Sequence, residues 1–122
     1  QVVDVSIVEA VLAHMEGVLP EYSGAGEVRQ PSGTSVSGIV PTGTYACADG
    51  ASVVIGANSD ALFKRLAKVM GRPDFDDDAE FGNNALRVAR QTDIDEAIAT
   101  WTRSHPAAHV IAELDAAEIP NG

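Results

Sequence analysis

The chain has 122 residues, 45% of them hydrophobic, which is enough for one domain with a modest core. Its formal net charge is −10, from 18 acidic and 8 basic residues, which argues against nucleic acid or an anionic membrane surface as a partner, since both attract clusters of Lys and Arg. The one cysteine, Cys47, excludes an internal disulfide and predicts a reducing, cytoplasmic location.

The first predicted element is a helix over residues 3–19. Its apolar residues recur at three- and four-residue steps in two rows, which are Val5, Val8, Leu12, Met15 and Leu19, and Ile7, Val11 and Val18. So wide a stripe predicts burial on more than one side. Ser6 and Glu9 match a capping box, which would start the helix a turn later, and Pro20 and Gly24 are expected to end it.

A loop rich in Gly, Ser, Pro and Thr follows over residues 23–43 and shows no periodicity. This length is typical of a linker or a functional loop, so a boundary is predicted within it. We expect a helix in residues 1–24, a linker in 25–41 and a compact domain in 42–122.

The compact domain begins with a predicted β-hairpin. The segments "TYACA" and "SVVIGA" are rich in β-branched and small residues, and the Asp-Gly pair at 49–50 is a strong turn signal. A helix is predicted over 59–70, with Asn58 as its N-cap, Gly71 at its C′ position and Pro73 just beyond. Its expected apolar face consists of Leu62, Phe63, Leu66, Val69 and Met70.

Further helices complete the domain. The acidic loop "DFDDDAEFGNN" precedes a short helix at about 84–90, and Thr92 and Asp95 mark the start of a helix at 93–103. Pro106 suits the first turn of a last helix. The expected inward-facing residues are Ile94, Ala97, Ile98 and Trp101, then Val110, Ile111 and Leu114. The predicted fold class is α+β: an N-terminal helix and linker, then a small domain with a short antiparallel sheet and about four helices.

Two loops resemble ligand sites and lack essential parts of them. "GAGEVR", with Gly24 and Gly26, follows a helix and lacks the third glycine and the lysine of a phosphate loop. The acidic loop lacks the alternating spacing of a calcium loop. Its carboxylates are Asp74, Asp76, Asp77, Asp78 and Glu80. A linker and a solvated loop are therefore the preferred interpretations.

Three sets of side chains leave alternatives open. His105 and His109 are spaced like a metal pair on one helix face, with Glu113 one turn further, although capping or surface histidines are the simpler interpretation. Cys47 lies in a predicted strand with no recognisable base, which favours a buried apolar role over a nucleophile. The basic residues with most context either hold an anionic ligand or pair with the surplus acids. They are Arg87, Arg90 and Arg103.

Five segments, in order, resemble motifs of the family III CoA-transferases, which include carnitine CoA-transferases, formyl-CoA:oxalate transferases and α-methylacyl-CoA racemases. "QVVDVSIVEAVL" is similar to GQ-x-VDVSL-x-EA, and "PTGTYACADG" to P-Y-G-x-Y-x-x-x-DG. "VIGANSDALFKRLAKVMGRPDF" is similar to v-i-A-x-x-N-D-x-x-F-x-x-L-x-x-x-LGRP-e-L. "FGNNALRVARQTDIDEAI" resembles F-x-x-N-x-x-R-v-x-x-r-x-x-L, and "AELDAAEIPNG" resembles L-x-x-A-g-V-P-x-G.

The resemblance implies an internal piece of a longer enzyme, which agrees with a start on Gln1 instead of Met. The piece would hold the helix that leaves a large Rossmann-like domain with the CoA site, the linker, and the small domain that covers the active site. The resemblance further implies an interlocked homodimer, a CoA thioester as substrate, and no prosthetic group or metal. The catalytic Asp of the transferases and the His/Asp pair of the racemases would lie upstream, so no catalytic residue is expected here.

The resemblance also implies one substrate-facing loop. In oxalate-using members a glycine-rich loop just before the first strand of the small domain closes over the substrate, and the corresponding stretch here is "SVSGIVP". Ser37, Gly38, Ile39 and Val40 are therefore expected to face the acyl group, unless the stretch is an ordinary linker. Gly38 is its only glycine, which argues against an oxalate-type substrate.

Three functions follow from these observations. In the first, an upstream Asp attacks an acyl-CoA thioester, a mixed anhydride and then an enzyme-bound CoA thioester form, and CoA moves between carboxylic acids. This segment would supply shape and exclude water, and would be inactive alone. The second is an acyl-CoA racemase of the same fold, acting by proton transfer beside the thioester. The third is a non-enzymatic interaction domain that docks through the helix at 3–19.

Overall fold

The computed structural model describes residues 2–15 and 17–122, and they have an α+β fold. The chain divides into two compact units, Gln1–Pro31 and Ser32–Gly122. The first unit contains α1 (Ile7–His14) and α2 (Val18–Ala25). The elements described in the second unit are β1 (Thr42–Ala46), β2 (Ser52–Gly56), α3 (Asp60–Val69), a 3-10 helix (Pro73–Asp76), α4 (Asp78–Phe81), α5 (Asn84–Ala89), α6 (Gln91–Arg103) and α7 (Ala107–Ala116). The boundaries expected at 24/25 and 41/42 stay predictions.

The first unit contains two short helices where one was predicted. The capping box is confirmed, because the Ser6 hydroxyl accepts a hydrogen bond from the Glu9 N–H at 3.3 Å and α1 starts at Ile7. The prediction of one helix over 3–19 is wrong, since α1 ends at His14 and a new helix begins at Val18.

The expected stop signals of that helix lie inside α2. Pro20 occupies the first turn of α2, where its missing N–H costs no helical hydrogen bond. It is therefore tolerated in this helix and does not end it. Gly24 is also helical, and the helix ends at Gly26, whose φ of 71° is the left-handed conformation that favours glycine. None of the side chains that the structure describes in residues 2–31 is buried.

The predicted hairpin is confirmed. Strands β1 and β2 pair antiparallel in a register that runs from Thr42 opposite Gly56 to Ala46 opposite Ser52. Gly50 in the connecting turn has φ 82°, as expected for an Asp-Gly turn. The last residues of the chain extend the sheet along the free edge of β2, where the Val54 N–H donates to the Gly122 carbonyl at 2.7 Å.

The hairpin turn also fixes the start of α7. The two carboxylate oxygens of Asp49 accept hydrogen bonds from the N–H of Ala51 at 3.2 Å and of Ala107 at 3.0 Å. Pro106 precedes the helix as its N-cap residue and has no side chain that can satisfy the first N–H groups. Asp49 supplies that missing acceptor from a distant part of the chain.

Helices α3, α6 and α7 supply most of the helical part of the core. The buried apolar residues are Val40, Tyr45, Cys47, Val53, Ile55, Ala57, Phe63, Leu66, Ala67, Phe75, Phe81, Ile94, Ile98, Val110, Leu114 and Ile119. Of the predicted inward-facing residues, Ile94, Ile98, Val110 and Leu114 are fully buried, whereas Ala97, Trp101 and Ile111 are half-buried at the rim.

The segment predicted as an acidic loop is mostly helical. The 3-10 helix and α4 each bury one aromatic side chain, Phe75 and Phe81, against Phe63 of α3. The ring centroids of Phe63 and Phe75 are 5.7 Å apart, and those of Phe75 and Phe81 are 4.9 Å apart. This apolar burial orders a stretch that looks like solvated loop by charge alone.

Other helix ends differ slightly from the predictions. Ser59, and not Asn58, caps α3, because its hydroxyl accepts a hydrogen bond from the Leu62 N–H at 3.2 Å. Gly71, predicted at the C′ position, has the expected positive φ of 66°. Helix α6 begins at Gln91, two residues before the predicted start at 93.

Candidate functional site

The four residues expected to face an acyl group lie in one turn just before β1. We name residues 37–40 the acyl loop. The turn closes through a hydrogen bond from the Ile39 N–H to the Val36 carbonyl at 3.3 Å, and Gly38 has a φ of 76°, which side-chain-bearing residues rarely adopt. The four residues do not share one environment. Ser37, Gly38 and Ile39 are exposed, whereas the Val40 side chain is 1% exposed and belongs to the core.

Asn84, the first residue of α5, binds the acyl loop from one side. Its Nδ2 donates to the Gly38 carbonyl at 2.8 Å, and its Oδ1 accepts from the Val40 N–H at 3.1 Å. Both polar ends of the amide are thus used on the same loop. They lie on either side of Ile39, whose side chain is 40% exposed.

Arg87, one turn along the same helix, binds the loop at its buried end. Its Nε donates to the Val40 carbonyl at 3.0 Å, and its Nη1 lies 2.8 Å from a carboxylate oxygen of Asp60. The guanidinium also donates to the carbonyls of Phe81 at 3.0 Å and Asn58 at 3.2 Å. The side chain is 0% exposed. Arg87 therefore joins the acyl loop, the end of α4 and the start of α3 inside the protein, and it is not available to an outside anion.

Arg90 and Arg103 have different surroundings. Arg90 lies 3.3 Å from a carboxylate oxygen of Glu80, and its guanidinium carbon is 5.6 Å from the centroid of the Phe81 ring. Of the two alternatives for these arginines, pairing with acids thus holds for Arg87 and Arg90. Arg103, in the last turn of α6, is exposed beside a cleft that Tyr45 also lines.

That cleft, of about 630 Å³, contains a buried phenol bonded to a carboxylate. The Tyr45 hydroxyl donates to Asp95 at 2.7 Å, and the Gln91 amide donates to the other oxygen of Asp95 at 3.3 Å. Burial, and then the bond to Asp95, raise the pKa of Tyr45 above its usual value. The phenol is therefore a hydrogen-bond donor at neutral pH and not a base.

The histidine pair does not form the centre of a metal cluster. The rings of His105 and His109 stack with centroids 4.7 Å apart, and Nδ1 of His105 lies 2.8 Å from the Trp101 carbonyl. In the part of the chain that the structure describes, no three His, Cys, Asp or Glu side chains are grouped as a metal site requires.

Cys47 is a buried, protonated thiol. Its side chain is 6% exposed. The prediction that Cys47 lies within a strand is wrong, because β1 ends at Ala46, the residue before it. Burial, with a smaller contribution from the charge of Asp49, raises the pKa of the Cys47 thiol. This is the opposite of what a nucleophilic cysteine requires.

The carboxylates of the acidic segment pair with nearby cations instead of converging. Asp74 accepts two hydrogen bonds from Arg72, which lower its pKa, and Asp78 lies 2.7 Å from the Lys64 ammonium. Asp77 caps α4 by accepting from the Ala79 N–H at 2.8 Å.

Among the described helices, none is long and apolar enough to cross a bilayer.

Sequence reasoning assigned no role to Asn84, although it stands in the segment "FGNNALRVAR". The signal was the three-residue spacing from Asn84 to Arg87, which places both side chains on one face of a helix. Their common target, residues 38–40, lies more than forty residues away in the chain, as the separation of 46 between Asn84 and Gly38 shows. Only the tertiary fold brings these groups together.

The comparisons with known proteins agree with one another. The chain is 39% identical to a succinyl-CoA–D-citramalate CoA-transferase of Chloroflexus aurantiacus, over all of this chain and 30% of that protein. It is 30% identical to the beta subunit of a succinyl-CoA–L-malate CoA-transferase of the same organism, over 98% of this chain and 30% of the relative. The chain thus spans about a third of the length of these relatives.

A solved structure supports the fold. A CAIB/BAIF family protein from Brucella suis superposes with a TM-score of 0.73 at 22% identity, covering 100% of this chain and 32% of that one. The profile of CoA-transferase family III matches residues 1–122. Since that match spans the whole chain, the chain belongs to CoA-transferase family III.

Proposed function

We propose that this chain is the small-domain segment of an enzyme that transfers CoA from an acyl-CoA to a carboxylic acid. The observation that carries the proposal is the 39% identity over all 122 residues with a protein named for that reaction. Following the resemblance, the nucleophilic Asp lies outside this segment. The segment's part is to close the active site, orient the acyl group and exclude water.

Within that enzyme, the exposed part of the acyl loop faces the acyl group. Ser37, Gly38 and Ile39 are exposed on a turn whose backbone is hydrogen-bonded to α5, so they offer a surface of fixed shape. Val40 contributes differently, because its buried side chain anchors the turn in the core. The loop carries no charge, so it contacts the carbon skeleton of the substrate and leaves its carboxylates to other parts of the enzyme.

The substrates that we propose are short dicarboxylic acids and their CoA thioesters. Relatives at 39% and 30% identity are named for succinyl-CoA with citramalate and with malate. CoA enters as a substrate, with no prosthetic group. The apolar side chains of α1 and α2, which the first unit does not bury, would pack in the large domain of an interlocked homodimer in the cytoplasm.

The test is a transfer assay on the full-length protein that contains this sequence. With succinyl-CoA as donor and citramalate or malate as acceptor, we expect the acceptor's CoA thioester to form, as read by mass spectrometry. Exchange of the α-proton of a branched acyl-CoA with solvent deuterium, without transfer, would instead identify a racemase. Absence of both activities would favour the interaction-domain hypothesis.

A matched pair of variants tests the role of the loop. Ile39→Ala removes the exposed apolar side chain of the acyl loop. We expect the ratio of kcat/KM between two acceptors of different size to change by about tenfold, since contact with a few methylene groups contributes that much to discrimination. Val88→Ala is the control, because Val88 is an apolar residue of similar exposure, 36% against 40% for Ile39, and it lies on α5 outside the acyl loop. Equal acceptor preference in the two variants would show that the acyl loop does not contact the acceptor.

A further inference from the structure

Three residues at three-residue spacing are linked by hydrogen bonds to one another or to the acyl loop. Phe81, Asn84 and Arg87 are the residues of "FGNNALRVAR" that match the F-x-x-N-x-x-R pattern, and they meet in space. Arg87 donates to the carbonyl of Phe81 at 3.0 Å and to that of Val40 at 3.0 Å. The proposed transfer chemistry assigns no role to this group.

Together, Asn84 and Arg87 fix three neighbouring backbone groups. Asn84 binds the Gly38 carbonyl and the Val40 N–H, and Arg87 binds the Val40 carbonyl. A primary amide presents a donor and an acceptor at a fixed separation, so one Asn side chain can hold both ends of a short turn at once. The two bonds constrain the backbone on both sides of Ile39, which is the exposed tip of the loop.

We propose that Asn84 is a positioning residue that holds the acyl loop closed over the active site, and so controls whether the acceptor carboxylate or water reaches the carbonyl carbon of the enzyme-bound CoA thioester. This inference rests on the proposed function of the loop. A turn held at both ends spends no binding energy on ordering itself, and it keeps water out of the site. Without the amide, the turn at Gly38 loses the side-chain hydrogen bond to its carbonyl, while Val40 remains in the core.

Asn84 is also the member of the group that can be changed without emptying the core. Arg87 is 0% exposed and bonded to four groups, whereas Asn84 is half-buried at the start of a helix. Asn84→Asp keeps an acceptor for Val40 and removes the donor to Gly38. An acidic residue in the first turn suits the helix dipole, so this variant separates loss of the clamp from loss of the helix.

Asn83 offers a matched control. It is the same residue type, adjacent in the chain and part of the same helix, and its side chain accepts from the Leu86 N–H at 3.1 Å as the N-cap of α5. Asn83→Ala therefore weakens α5 without touching the acyl loop.

The experiment compares full-length wild type, Asn84→Ala, Asn84→Asp and Asn83→Ala. We measure two products from succinyl-CoA: the acceptor's CoA thioester, which reports transfer, and free CoA, which reports hydrolysis because it forms when water adds to the enzyme-bound CoA thioester. Succinate is released in both reactions. The expected ratio of hydrolysis to transfer rises about tenfold in Asn84→Ala and less in Asn84→Asp, as misplacement of a substrate-positioning element predicts. Hydrogen–deuterium exchange of the peptide that covers residues 37–41 should quicken in the same two variants. Asn83→Ala keeps both hydrogen bonds of Asn84, so it should change each readout much less than Asn84→Ala does.

Two results would overturn the inference. Unchanged exchange in the 37–41 peptide of Asn84→Ala would show that the clamp does not restrain the loop. Faster exchange with an unchanged hydrolysis ratio would show that the clamp is structural only. Failure of the proposed function is distinguishable from both, because the wild-type protein would then transfer no CoA while the exchange of the peptide still responded to Asn84→Ala.

Discussion

Arg87 is a fully buried charge in a strongly acidic protein, and it illustrates how much a single residue can organise. Its guanidinium contacts one carboxylate and three main-chain carbonyls that lie in different segments of the chain. It also lies 5.1 Å from the centroid of the Phe63 ring. From sequence, this residue fitted either an anion site or an ion pair, because neither composition nor spacing reveals burial. The full burial of the Arg87 side chain in the structure decides between the anion site and the ion pair, in favour of the ion pair.

Arg87→Met should strongly destabilise the fold. It leaves the carbonyls of Val40 and Phe81 without a buried donor and that of Asn58 without a part-buried one, a loss of about 3–5 kcal/mol in the free energy of unfolding. Asp60 adds little to this loss because its side chain is 58% exposed. Arg90→Met is the matched control, since Arg90 is a third exposed and its pairing with Glu80 is worth at most about 1 kcal/mol. Thermal unfolding of the full-length variants measures both. Equal shifts in Tm would mean that the contacts of Arg87 contribute no more to stability than the exposed ion pair of Arg90.

Tyr45 predicts a dependence of stability on alkaline pH. Its pKa is raised by burial and by the hydrogen bond to Asp95, so the folded state holds its proton when the unfolded state loses it. The contribution is fully present below the unfolded pKa of about 10 and is lost above it, at up to about 1.4 kcal/mol per pH unit. Urea unfolding at about pH 8 and about pH 10.5 should therefore show a smaller loss in Tyr45→Phe than in the wild type. Identical losses would contradict the assignment.

At the scale of elements, the sequence predicted what local chemistry determines. The hairpin, α3 and the positions of α5, α6 and α7 follow from turn residues, caps and periodicity. The prediction of one helix over 3–19 is wrong because α1 ends at His14 and a second helix begins at Val18. Pro20, predicted to stop the helix, lies in the first turn of α2, where proline is tolerated. The prediction of an acidic loop over 74–84 is wrong because two buried phenylalanines order most of this segment, although carboxylates outnumber them. Non-local burial decided the second case, and no local pattern carries that information.

Gly82, between α4 and α5, is the element junction on which the position of the clamp depends. A Cβ at Gly82 would lie 2.5 Å from the Asp78 carbonyl oxygen, so backbone must move. We expect Gly82→Ala to cost about 1–3 kcal/mol, as overpacking does, and to displace α5. Gly71→Ala is the control for conformation alone, because its φ is 66° but nothing lies within 4 Å. Its cost should be about 1 kcal/mol.

Thermal unfolding and the exchange of the 37–41 peptide separate these two effects. Both variants should lower Tm, but only Gly82→Ala should quicken exchange in the acyl loop, because α5 carries the two side chains, Asn84 and Arg87, that bind the backbone of that loop. Faster exchange in both variants would indicate a general loosening of the second unit.

At the scale of the whole molecule, the candidate site is a property of the tertiary fold. The resemblance indicated the acyl loop, and the motif letters included Asn84 and Arg87, but nothing in the sequence joined the two segments. Their contacts span separations of 44 to 47 residues. Helix and strand signals are read over a few residues, so a clamp of this kind is visible only once both segments are placed.

The two compact units should differ in their ability to fold alone. Residues 32–122 enclose all sixteen residues of the buried apolar core, from Val40 to Ile119. The first unit has two helices of 8 residues each and buries none of its described side chains. Isolated helices shorter than about 12–15 residues are marginal in water. We therefore expect residues 32–122 to unfold cooperatively as a separate protein, and a peptide of residues 1–31 to show little helical circular dichroism. A cooperative transition in the peptide, or none in residues 32–122, would contradict the prediction that only the second unit is stable by itself.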